Sequence, residues 1–276
     1  MKKLLLLALS LTVFTGCAEK NVEVAEEVAS IKMAAPAETA APASRFSEYM
    51  WCKGGPDFNP ETYAALTAAW NEIDARSTNK TSGAFTIVPK VETDLYDGMW
   101  VNIWPSVEAR DAGWAEWVEQ DAEAFAANFN STLVCDPEKR FLFESFAVNA
   151  PAKQWDPAGP FQATYNFCSL KEGKTQEDGA AAAASFSEWL ELSRAEGLGN
   201  NYMSHLLIPT FDPETAGGSM GGYQFVRGDF WANAEEQAAD MAAWMTEGNA
   251  AREMSEATYG CQVGNFDLYP VKDLEI

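Results

Sequence analysis

The chain is poor in the groups that most often announce chemistry. It has one histidine, His205, in 276 residues, so no cluster of imidazoles can hold a metal and any histidine-based mechanism has a single candidate. Nineteen Lys and Arg stand against 41 Asp and Glu, a formal charge of −22. That balance argues against nucleic acid or anionic lipid headgroups as partners, because both need clustered cations. No Gly-x-Ser-x-Gly turn surrounds Ser204 or any other serine, which removes the usual hydrolase nucleophile. Asp94, Asp97, Asp212 and Glu214 crowd two loops without the spacing of a calcium loop and read as solvated acids. The apolar N-terminal run, residues 4–14, is far shorter than the roughly 20 residues of a membrane-spanning helix.

What is present begins with an address. Met1-Lys2-Lys3 is a positive start, residues 4–14 are apolar, and Thr15-Gly16-Cys17 places small residues before a cysteine. This resembles a bacterial lipoprotein signal. The resemblance implies cleavage after residue 16, acylation of Cys17 with a palmitate-type chain, and anchoring to the lipid bilayer of the cell envelope. Ala18 in the next position implies the outer membrane, facing the periplasm, where the cell has two membranes. Residues 17–44 are then a lipidated, disordered Ala/Glu/Pro tether, too poor in apolar side chains to offset their ordering entropy.

Beyond the tether the chain is a duplication. Met99-Trp100-Val101-Asn102-Ile103-Trp104 leads into a helical pattern carrying Trp114 and Trp117, and Val226-Arg227-Gly228-Asp229-Phe230-Trp231 leads into one carrying Met241 and Trp244. Each half also has an early cysteine after an aromatic residue (Cys52, Cys168) and a late one (Cys135, Cys261). With Cys17 set aside, four cysteines allow three pairings, and the repeat selects Cys52–Cys135 and Cys168–Cys261. Periodicity gives the same element order twice. In the first half Tyr49-Met50-Trp51-Cys52 is a strand, and Asn59-Pro60-Glu61 opens a helix with Tyr63, Leu66, Trp70 and Ile73 on one face. Strands follow at Phe85-Thr86-Ile87-Val88 and at Met99–Trp104. A second helix then carries the stripe Trp114, Trp117, Val118, Phe125 and Phe129, and Phe141-Leu142-Phe143 supplies a fourth strand. The expected fold class is α+β: two βαββαβ repeats, residues 45–148 and 161–276, joined by a Pro-rich linker at 149–160.

Two such ferredoxin-like repeats in one chain resemble the dimeric α/β-barrel superfamily in a fused, pseudo-dimeric form. In that arrangement the first and fourth strands of each half are adjacent, which agrees with the cysteine pairing. The fused halves make a monomer self-sufficient. The resemblance implies a barrel interior able to hold a small apolar or aromatic ligand, and it includes monooxygenase-like and haem enzymes as alternatives to a pure binding or structural role. Fold alone does not choose among these.

Strand alternation nominates the lining of that interior. Met99, Val101 and Ile103 are uniformly apolar and suit a helix-packed face, which leaves Trp100, Asn102 and Trp104, with Arg227, Asp229 and Trp231, facing the barrel interior as ligand-binding candidates. His205, Arg227 and Asp229 are the candidate catalytic groups. No metal or cofactor is implied by any spacing. Haem enters only through the superfamily resemblance, with His205 as its candidate ligand.

Overall fold

The computed structural model describes residues 44–153, 155, 159–216 and 221–273. The signal segment, Cys17, the tether up to residue 43 and Gly217-Gly218 lie outside the described residues. The first half runs β1 (Arg45–Gly54), α1 (Pro60–Arg76), β2 (Gly83–Pro89), β3 (Gly98–Trp104), α2 (Val107–Gln120), α3 (Ala122–Phe129) and β4 (Leu133–Asn149). The second runs β5 (Phe161–Leu170), α4 (Gln176–Ala195), β6 (Met203–Pro209), the short α5 (Pro213–Ala216), β7 (Phe225–Trp231), α6 (Ala234–Thr246), α7 (Asn249–Thr258) and β8 (Tyr259–Lys272).

Each half arranges its strands in the ferredoxin-like order, β4-β1-β3-β2 and β8-β5-β7-β6, and the two sheets join through β2–β8 and β4–β6 into a closed barrel. All eight pairings are antiparallel. Closure matters because each sheet alone would leave two edges of unpaired backbone.

The local signals act as expected at most boundaries. The Asn59 side chain accepts from the amides of Glu61 and Thr62 at 3.0 Å each, and Pro60 occupies the first turn where its missing N–H costs nothing. Asn233 caps α6 by accepting from Glu236 at 2.9 Å, but the Glu236 carboxylate accepts from Asn201 and does not complete a capping box. The second helix of each half is divided. In the first half it breaks at Asp121, and Val118, 71% exposed, points away from the stripe formed by Trp114, Trp117, Phe125 and Phe129.

Both expected disulfides are present. Cys52 bonds Cys135 and Cys168 bonds Cys261, each pair lying directly opposite across two antiparallel strands. The fourth strands begin earlier than the hydrophobic pattern suggests, at Leu133 and Tyr259, so both late cysteines lie within them.

The barrel interior is filled by side chains. Tyr49 and Tyr165, at matched positions in the two halves, meet near its centre with their hydroxyls 3.3 Å apart and their rings edge to face at 5.7 Å. Burial pushes the Tyr49 hydroxyl up to about 12 and that of Tyr165 well above its ordinary value. Trp51, Ile87, Phe141, Phe143, Leu207 and Phe266 surround them, and Trp155 of the linker packs on Phe161 at 5.0 Å. The remaining void is about 30 Å³, on the order of one water molecule.

Strand orientation is the reverse of that expected. Met99, Val101 and Ile103 face this interior, whereas Trp100 belongs to the cluster beneath the helices, and Asn102 and Trp104 share its face of β3. Arg227, Asp229 and Trp231 likewise face the helices of the second half. Both faces of a helix-covered barrel are buried, and the closed interior is the drier of the two. The uniformly apolar set goes inside, against a mostly apolar lining, and the mixed set goes where helix side chains can satisfy it.

Candidate functional site

The space between sheet and helices is closed in the first half and open in the second, and the duplication allows the reason to be read residue by residue. Glu48 and Asn102 are cross-strand neighbours on β1 and β3, and Thr164 and Asp229 hold the same places on β5 and β7. In the first half Glu48 is fully buried. Its Oε2 accepts from the indoles of Trp104 at 3.2 Å and Trp114 at 2.7 Å, and its Oε1 accepts from Arg110 Nε at 2.9 Å and Nη2 at 2.6 Å. Four donors satisfy the carboxylate, which a buried charge requires. Trp100 donates to Asn102 at 2.9 Å and stacks edge-on against Trp70 at 5.3 Å. Gly113 of α2 lies so close to Trp104 that a Cβ there would meet its ring at 2.8 Å.

The second half replaces each part of this plug with something smaller or differently directed. Thr164 stands for Glu48, Gln237 for Arg110, Met241 for Trp114 and Arg227 for Trp100. Asp240 takes the place of Gly113, and its carboxylate accepts from the Trp231 indole at 3.1 Å and from the Gly199 amide at 2.9 Å. A side chain therefore stands where the first half has bare Cα against tryptophan. The result is a cleft of about 550 Å³, within the range of roughly 300–1,000 Å³ typical of small-molecule sites.

One wall of the cleft is aromatic. Phe186 and Trp189 of α4 meet Trp244 of α6 at 5.3 and 4.8 Å, and Tyr202 lies between Phe186 and Trp231 at 5.7 and 5.5 Å. The floor is polar. Asp229 accepts from Tyr202 at 2.5 Å and from Asn166 at 2.7 Å, and it holds Arg227 through Nε at 3.1 Å and Nη2 at 3.0 Å. Arg227 lies 5.2 Å over the Phe186 ring, with 34% of its side-chain surface open. Burial opposes the guanidinium charge, but Asp229 and Tyr202 outweigh it and keep the group protonated. Burial raises the Asp240 carboxyl and, foremost, lifts the Tyr202 hydroxyl well above its ordinary range. Lys90 lies at the rim, bonded to Gln162 and reaching Gln237 at 3.4 Å and Asp267 at 3.7 Å.

Of the ligand-binding candidates from the sequence, Arg227, Asp229 and Trp231 come together here, whereas Trp100, Asn102 and Trp104 belong to the closed half. Phe186, Trp189, Tyr202, Gln237 and Asp240 were not among those candidates. The signal that reveals them is the helix register of the repeat, above all Trp114 against Met241.

His205 is on the opposite face of the sheet. Its Nδ1 is 3.2 Å from Ser145 Oγ and its ring meets the edge of Phe230 at 5.7 Å. Burial, then the charge of Arg45, lowers its pKa to about 4. The void in the barrel interior is only about 30 Å³, without room for a macrocycle, and His205 is not among the residues that line it; the lining of the cleft contains no histidine or cysteine. A haem held by His205 does not fit these residues. The loop acids build turns: Asp97 accepts from the Gly54 amide at 2.9 Å and Asp212 from the Glu214 amide at 3.0 Å. Among the described residues no three His, Cys, Asp or Glu side chains converge as a metal site.

No protein-family model matches the chain, and no curated protein matches it. Several solved structures are similar in backbone arrangement. A monooxygenase, described as putative, from Lactobacillus acidophilus is 10% identical over 83% of this chain and 97% of its own, with a TM-score of 0.44. A mutant chlorite dismutase from Candidatus Nitrospira defluvii is 9% identical over 84% and 94%, at 0.48. A heme-binding protein from Thermus thermophilus is 11% identical over 84% and 94%, at 0.43. The strand order and pairing of the chain itself identify its architecture: two ferredoxin-like repeats closed into one pseudo-dimeric α/β barrel.

Proposed function

We propose that the protein binds a small, partly apolar molecule in the cleft between the sheet and helices α4 and α6 of its second half, while held at the bacterial cell envelope by acylation of Cys17. The observation that carries the binding reading is the asymmetry of the duplication. One half fills this space with a buried Glu48–Arg110 pair and two tryptophans, and the other leaves about 550 Å³ beside Arg227, Asp229 and Trp231. A concave space of this size, with an aromatic wall and a few polar groups on its floor, has the form of a small-molecule site. The small void of the barrel interior, about 30 Å³, supports the cleft over the interior as the site.

Ligand retained by protein purified from its own host, detected by native mass spectrometry, tests the binding reading, with loss of the adduct in Met241→Trp assigning it to the cleft. The anchoring reading is tested separately: palmitate labelling of the full chain that disappears in Cys17→Ser supports it, and unlabelled wild type refutes it.

A second reading, an enzyme of the monooxygenase-like barrel type, is favoured by the Arg227–Asp229–Tyr202 network at the floor of the cleft, where pre-ordered donors can act on developing charge. In this reading His205 takes no part, and His205→Ala leaves any detected turnover unchanged whereas Arg227→Lys lowers it.

A further inference from the structure

We infer that the molecule held in the second-half cleft is an organic anion: a planar or aromatic body carrying a carboxylate. This rests on the reading that the cleft is the binding site and adds the chemistry of what fills it.

Among the charged groups of the cleft floor, the one left with open hydrogen-bonding positions and exposed surface is a donor, Arg227. Both acidic side chains in the lining are already engaged: Asp229 accepts from Tyr202, Asn166 and Arg227, and Asp240 accepts from the Gly199 amide and the Trp231 indole. Arg227 donates Nε to Oδ2 of Asp229, with Nη2 3.0 Å from the same oxygen. A guanidinium has five N–H groups, so donors remain after that pairing, on a side chain 34% open. Lys90 adds a second cation at the rim. With Asp229 and Asp240 the lining is formally neutral, in a chain of formal charge −22. A carboxylate complements this arrangement, since guanidinium-carboxylate hydrogen bonds are charge-assisted and directional.

The same geometry disfavours the other ligand that an aromatic wall suggests, an organic cation. The face of Phe186 already carries the Arg227 guanidinium at 5.2 Å. A second cation would meet both Arg227 and Lys90 without a free carboxylate to offset them. The apolar body belongs against Trp189, Trp244 and Met241, across the cleft from the donors.

The test is equilibrium dialysis of the full chain against three probes sharing one two-ring body: 2-naphthoate, 2-naphthylmethanol and 2-naphthylmethylammonium. The expected order is carboxylate tightest, by about tenfold over the alcohol, and ammonium weakest. Arg227→Gln/Asp229→Asn, which removes both charges so that neither is stranded, should erase the preference for the carboxylate. Arg227→Lys, which keeps the charge but not the planar fork, should retain part of it. Equal binding of all three probes, or tightest binding of the ammonium, with binding lost in Met241→Trp, overturns the anion assignment and leaves the cleft as the site. Binding of none of them, or binding that survives Met241→Trp, overturns the cleft reading itself.

Discussion

The indole N–H of Trp231 donates to the Asp240 carboxylate across 3.1 Å, whereas its counterpart Trp104 lies against Gly113, where a Cβ would come within 2.8 Å of the ring. One helix is let down onto its sheet by a missing side chain and the other is met by a carboxylate. The difference, together with Met241 in place of Trp114, separates a closed half from an open one. Building the first-half residue into the second should therefore close it. Met241→Trp is predicted to abolish ligand binding while keeping both disulfides and a melting temperature at or above that of the wild type, checked by calorimetry and non-reducing peptide mapping.

The converse applies to the plug. Glu48 is fully buried and tied to Arg110 and two indoles. Glu48→Thr leaves Arg110 paired only with the exposed Asp111 at 2.7 Å and leaves two buried indole N–H groups without their acceptor, and is expected to cost about 1–3 kcal/mol. Adding Arg110→Gln, the residue found in the second half, should recover part of that loss. Urea unfolding of the single and double variants measures the coupling. A double variant as destabilised as the sum of its parts would show that the pair does not act as a unit.

His205 makes stability depend on pH. Its folded-state pKa is lowered to about 4, below the ordinary value of about 6.5, so the unfolded chain binds the proton more tightly. Its contribution is fully present above about pH 6.5 and is lost as pH falls toward 4, up to about 3 kcal/mol in all. His205→Gln should flatten the stability-pH curve of the wild type in that window by this amount. An unchanged slope would mean that the imidazole is not held neutral by its surroundings.

Each disulfide closes a long loop, with sequence separations of 83 and 93. In the chain-entropy account each contributes about 4–5 kcal/mol. Cys52→Ala/Cys135→Ala and Cys168→Ala/Cys261→Ala should each lower stability by an amount of this order. Digestion without reduction should recover only the two within-half linkages.

Much of the architecture is legible in the sequence because the chain states it twice. Periods of two and near 3.6 place the strands and helices, and the matched cysteines choose one pairing of three. The orientation of β3 and β7 is not legible in the same way. Alternation separates Met99, Val101 and Ile103 from Trp100, Asn102 and Trp104, but it carries no sign, and both faces are buried. Only the helix side chains that meet the outer face, Arg110 and Trp114 for Glu48, decide which set turns inward. Arg227, Asp229 and Trp231 therefore line a cleft on the outer face, not the inner one. Asp240 and Gln237 were concealed because nothing in an isolated helix distinguishes a cleft-lining polar residue from a solvated one.

The most direct test of the central claim is native mass spectrometry of the protein isolated from its own host, as wild type and as Met241→Trp. The account predicts a small-molecule adduct on the wild type that is absent from the variant, both being folded with two disulfides. An adduct retained by Met241→Trp, or none on either protein, would contradict it.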